Sequence, residues 1–208
     1  MVALEVFVPV SLSSAVRPKQ RYSMAEGYLV TVMAARSVGD FRRQRQSLGA
    51  PLVERIMLAV TEVNGCPVCS YGHAKLALQA GLPEDEIRQM FDGNLAGAPT
   101  DELPALLFAQ HYADSKGRPE PTAWKTVVDA YGEAASKGIL GAIRMIMWGN
   151  AYGIPLSGLQ ARRRGEKLAG ASLVRDLAMT AAAFLQLPVV AVHALVAKLL
   201  HRPLLPTA

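Results

Sequence analysis

PLVERIMLAVTEVNGCPVCSYGHAKLALQAG, residues 51–81, reads as two helices joined by one tight turn. Pro51 opens the first helix, which carries Leu52, Ile56, Ala59, Val60 and Val63 on one side at helical spacing. Asn64-Gly65 is a strong turn pair and stops it. Pro67 then suits the first turn of a second helix, where a missing N–H costs nothing. That helix runs through Leu76 and Leu78 to Gly81, a natural C-terminal cap.

The same periodicity extends outward in both directions. Met24–Gln46 carries apolar residues at helical spacing, and Pro83-Glu84-Asp85-Glu86 starts a helix with acids at its positive end. Further helices are expected at Asp101–Ser115, Pro121–Tyr131, Ser136–Tyr152, Gly158–Leu168 and Ser172–His201, the last broken at Pro188. No segment alternates as a strand does, so the fold class is all-α. The 208 residues fit one structural domain, divided into an N-terminal helical extension (1–49), a core (50–165) and an apolar C-terminal helical arm (166–208).

Composition excludes several classes. With 51% hydrophobic and 19% charged residues the chain is globular, and at this length no disulfide or metal is needed for stability. The net charge of +5 is modest. Its basic clusters, Arg42-Arg43-Gln44-Arg45 and Arg162-Arg163-Arg164, lack interleaved aromatics and read as solvated helix faces, so no nucleic acid partner is expected. Met1–Ser14 is apolar but has no basic leader and carries Glu5 and Pro9; it does not read as a signal peptide, and a cytoplasmic protein is expected. Leu177–Ala197 is free of charge and about as long as a membrane span. Gln186, Pro188 and His193 interrupt it and alanine dilutes it, so it reads as one or two buried or subunit-interface helices, without membrane contact.

Only two cysteines occur, and they stand together in Cys66-x-x-Cys69-x-x-x-His73. Both thiols fall in the first turn of the predicted helix, where unpaired N–H groups and the helix dipole favour the thiolate. Cys69 and His73 are four residues apart and share a helix face, so the imidazole can move the thiol proton. If the chain reverses at Asn64-Gly65, Glu54 comes alongside His73 and Glu62 falls opposite the cysteine end. Glu54 is therefore the favoured partner of the histidine, with Glu62 in reserve. A zinc site drawing a fourth ligand from Glu54, Glu62 or His111 is the chemical rival, but no second Cys/His cluster exists to complete one. No metal and no cofactor are expected. His111, His193 and His201 read as structural or solvated, and Trp148, Asn150 and Tyr152 as packing and capping groups.

Glu54-x11-Cys66-x-x-Cys69-x-x-x-His73, with Asn64-Gly65 before the first cysteine, resembles alkylhydroperoxidase D and the wider carboxymuconolactone decarboxylase family. The resemblance is specific over residues 50–82, and Leu106–Trp148 is compatible with it. It differs at Val68, where the best-studied hydroperoxidases carry a further histidine. The resemblance implies an all-helical fold assembling as trimers or hexamers. It implies that Cys69 is the peroxidatic nucleophile, Cys66 the resolving thiol of a Cys66–Cys69 redox disulfide, His73 the proton shuttle and Glu54 its acidic partner. The implied substrate is a hydroperoxide, and the implied reductant a lipoyl or thioredoxin-like dithiol protein. Val68, Tyr71 and the Met145–Trp148 segment would give the site apolar surroundings suited to an organic hydroperoxide. Lactone decarboxylation, general thiol–disulfide exchange and a non-enzymatic assembly role centred on the apolar arm are the alternative readings.

Overall fold

The computed structural model describes residues 17–166 and 168–205, and these form helices joined by turns, with no strand. The all-α class is borne out. Helix α1, Met24–Leu48, begins at a reciprocal cap: Glu26 N–H donates to Ser23 Oγ (3.2 Å) and Ser23 N–H donates to the Glu26 carboxylate (2.7 Å). Helix α2, Ala50–Asn64, has Pro51 in its first turn and stops at Gly65, whose φ of 68° is left-handed and whose N–H donates to the Thr61 carbonyl at 2.8 Å. A β-carbon on Gly65 would collide with the Arg17 carbonyl and lie 2.6 Å from the Lys19 nitrogen, so only glycine fits this turn.

Helix α3, Pro67–Gln79, returns alongside α2, and α4, Glu84–Phe91, follows. A 3-10 turn, Thr100–Glu102, leads into α5, Leu103–Asp114. Arg55 on α2 ties this side together, donating to Glu86 at 2.5 and 3.2 Å and to Glu102 at 3.1 Å. The core is built from Ile56, Leu58 and Val60 of α2, Leu106 of α5, and Ile139, Leu140 and Ile143 further on, all fully buried.

Those last three lie on α6, Pro121–Arg163, which packs along α1. A β-carbon on Gly141 would stand 2.7 Å from Phe41 Cβ, so bare glycine backbone sets how closely the two helices approach. Here the structure departs from the three helices expected between Pro121 and Leu168. Gly132 (φ 73°, ψ 164°) does separate the first two, but the helix passes through Pro155 without a break and ends at Arg163. Proline inside a helix forfeits one backbone hydrogen bond. Ala151, Tyr152, Ile154, Pro155, Ser157 and Gly158 are all buried, and that packing holds the helix on course.

The arm forms α7, Leu173–Leu185, and α8, Leu187–Leu199, bent by 56°. The break falls at Gln186, and Pro188 instead occupies the first turn of α8. Gln186 Nε2 donates to Thr31 Oγ1 (2.9 Å) and also bonds the Tyr152 hydroxyl, which fixes the bend against α1 and α6. Arg36 and Arg144 then hold the carbonyls of Arg202, Pro203 and Leu204. The arm, expected as buried or subunit-interface helices, is only partly buried within one chain. Met179, Ala183, Val190 and Ala197 pack inward, while Val174, Phe184, Leu185 and Leu199 stand in the open. No single described helix is long and apolar enough to cross a membrane; the bent pair reaches that hydropathy only when taken together. The Met1–Ser14 reading falls outside the described residues.

Candidate active site

Both sulfurs sit at the start of α3. Cys66 is the N-cap, with extended backbone (φ −90°, ψ 107°), and its Sγ accepts the Cys69 N–H at 3.4 Å. Ser157 Oγ, reaching over from α6, accepts the Val68 N–H at 3.3 Å. These contacts satisfy donors that a helix start leaves unpaired. Cys66 and Cys69 are joined in a disulfide with Cα atoms 5.3 Å apart. The two are not equivalent: Cys66 is fully buried, whereas Cys69 is only half-buried.

One turn further along α3 stands His73. The reversal at Asn64-Gly65 brings Glu54 beside it, and His73 Nδ1 lies 2.8 Å from Glu54 Oε2. Glu54 is itself buried, so little water competes for that contact. With Nδ1–H donated to the carboxylate, Nε2 is the ring nitrogen left to accept a proton. Glu62, the reserve candidate, is paired with Lys19 instead. His111 Nε2 accepts the Glu120 N–H at 3.0 Å, His193 Nδ1 bonds the Tyr28 hydroxyl at 2.9 Å, and His201 is exposed.

Cys69 and His73 open onto one cavity of about 410 Å³. Its walls are apolar: Val68 and Leu76 of α3, Ile146, Trp148, Tyr152 and Leu156 of α6, and Ala183 and Phe184 of α7. His73 is the only basic side chain in the lining. The structure thus pairs Cys66 with Cys69 and Glu54 with His73, and opens Cys69 and His73 onto one cavity.

Residues 31–113 match the model of the carboxymuconolactone decarboxylase family. That part of the chain is similar to the carboxymuconolactone decarboxylase family. The match takes in the second half of α1 and ends in α5, so α6 and the arm, which complete the cavity, lie outside it. No curated protein and no solved structure gives a match to the chain.

Several wall residues of this site differ from the sequence expectation. Tyr71 points to solvent and does not line the cavity. Met147 is core: its sulfur takes the Asn64 Nδ2 donor at 3.3 Å. Trp148 and Tyr152, read as packing groups, are walls. The sequence reading missed Gly153 and Ser157, which face the disulfide turn, and Thr180, Ala183 and Phe184 on the arm. Gly149 and Gly153, one helical turn apart, were the available signal for a close approach. The arm residues have no local signature, because only the packing of α7 against α6 brings them to the cavity.

Proposed function

We propose that the protein is a thiol peroxidase of the alkylhydroperoxidase type. The observation that carries this reading is the cavity shared by Cys69 and His73, with Glu54 orienting the imidazole and Cys66 buried behind the accessible sulfur. In the reduced enzyme His73 Nε2 takes the Cys69 proton. The thiolate attacks the distal oxygen of a hydroperoxide; the O–O bond breaks, and His73 returns the proton to the departing alkoxide, giving an alcohol, or water from hydrogen peroxide. Cys69 is left as a sulfenic acid. The Cys66 thiol then attacks that sulfur, releasing water and forming the Cys66–Cys69 disulfide. An external dithiol protein, lipoyl or thioredoxin-like, reduces it through a mixed disulfide and is itself oxidised. Such a cycle fits a cytoplasmic enzyme assembled as a trimer or hexamer.

The family description favours a second reading, decarboxylation of a carboxylated lactone. Against it, the cavity offers no lysine or arginine to hold a substrate carboxylate. Mass spectrometry of alkylated protein before and after one equivalent of cumene hydroperoxide separates the two. Peroxidase chemistry converts two free thiols into one intramolecular disulfide. Cys69→Ser abolishes turnover, and Cys66→Ser accumulates a sulfenic acid that dimedone captures. Turnover surviving Cys69→Ser, or loss of γ-carboxymuconolactone without thiol oxidation, would overturn the proposal.

A further inference from the structure

The outer face of α7 and α8 carries an apolar surface that the described residues leave uncovered. Val174, Leu185 and Phe184 on or near α7 are 79%, 78% and 71% exposed, and Val192, Leu195 and Leu199 continue the surface along α8. Patches of this extent mark contact sites. Neither helix alone matches a bilayer: each has 13 residues, about 20 Å, against an apolar thickness of about 30 Å, and the pair is bent by 56°.

Charge identifies what the surface meets. Between residues 173 and 205 the only acid is Asp176, and it is buried, whereas Arg175, Lys198 and Arg202 are exposed. Leu195, Lys198 and Arg202 line one cleft, so the apolar surface runs directly into a basic one. That cleft, about 580 Å³ between α1 and α8, is lined by Arg36, Arg43, Lys137, Lys198, His201 and Arg202, with Asp40 as its one acid. Asp40 is engaged by Arg43 at 2.6 Å and Lys137 pairs with Glu133 at 2.9 Å. Among the described residues Arg36, Lys198 and Arg202 have no carboxylate within ion-pair distance. Unneutralised cations beside exposed hydrocarbon are the two components of an interfacial helix on anionic lipid. A two-fold contact with a second copy would set this cationic rim against itself.

We propose that the outer face of α7–α8 seats on an anionic phospholipid surface, with the basic cleft between α1 and α8 taking the headgroup phosphates. The test is co-sedimentation of the full chain with vesicles of phosphatidylcholine alone and of phosphatidylcholine mixed with phosphatidylglycerol. The expected preference for the mixed vesicles is about tenfold or more, because each basic residue at the surface adds to binding, and it shrinks as salt is raised. Lys198→Glu with Arg202→Glu removes the preference, and Leu195→Glu weakens binding to both vesicles; helicity by circular dichroism checks each variant. The wild-type lipid and salt series decides the matter even if a variant misfolds. Failure to sediment with either vesicle, or equal binding to both, overturns the proposal. So does a wild-type oligomer that ignores vesicles and falls to monomer with Leu195→Glu, which would assign the face to a second copy.

Discussion

Gly153 on α6 stands directly against Cys69 on α3: a β-carbon added at Gly153 would lie 2.7 Å from the Cys69 sulfur, and 2.7 Å from that of Cys66. The absent side chain is the space the disulfide occupies. Gly153→Ala must therefore displace a sulfur or a helix, and overpacking of this kind costs about 1–3 kcal/mol. Gly149, one turn earlier, is the control, since its added methyl would meet Ile146 at an ordinary 3.7 Å. Thermal unfolding of the oxidised protein is expected to fall for Gly153→Ala and to hold for Gly149→Ala. Equal stability of Gly153→Ala and wild type would mean that the sulfurs need no such room.

The pairing of His73 with Glu54 predicts a shared loss rather than two separate ones. If the imidazole moves the Cys69 proton, His73→Ala lowers peroxide turnover by about 10²–10⁴-fold. Glu54→Ala frees the ring and costs a large part of that, and the double variant is little worse than His73→Ala alone. Rates of Cys69 alkylation across pH read the same coupling without a peroxide. Additive losses in the double variant would show that the two side chains act independently.

The hairpin was legible because its signals are local. Pro51, Asn64-Gly65 and Pro67 punctuate two periodic runs, and a turn at Gly65 sets Glu54 alongside His73 whatever else the chain does. The interruption expected between Tyr131 and Ser136 falls at Gly132. The break expected between Tyr152 and Gly158 is absent, because buried packing on both sides of Pro155 outweighs that proline's local cost. The break expected at Pro188 falls at Gln186 instead: it is fixed by bonds to Thr31 and Tyr152, more than thirty residues distant in each case. Phe184 reaches the cavity only because α7 packs against α6, so nothing in its own neighbourhood announces it.

The α1 cap predicts a pH-dependent loss of stability. The Ser23 backbone N–H and then Lys116 hold the Glu26 carboxyl below its ordinary value of 4.5. A depressed folded pKa contributes stability that is fully present above 4.5 and is lost as pH falls through the lower folded value. Glu26→Gln keeps an acceptor for the cap but removes the charge. The stability gap between wild type and this variant is expected to be open at neutral pH and to close in acid, as read from urea unfolding at several pH values. A gap that persists unchanged at low pH would assign the effect to packing.

The position of α7 joins the two proposals in a single prediction. Phe184 lines the redox cavity and is also part of the exposed apolar face. Seating that face on lipid would set the cavity mouth at the hydrocarbon boundary, where a peroxidised acyl chain lies. Lys198→Glu with Arg202→Glu should then slow reduction of phospholipid hydroperoxide in anionic vesicles by the same factor by which it weakens vesicle binding. Reduction of cumene hydroperoxide in solution should be unchanged, because neither residue touches the cavity. Comparing kcat/KM for the two substrates makes the measurement. If both fall together, the substitutions have disturbed the fold; if neither falls while vesicle binding is lost, the arm docks without delivering substrate.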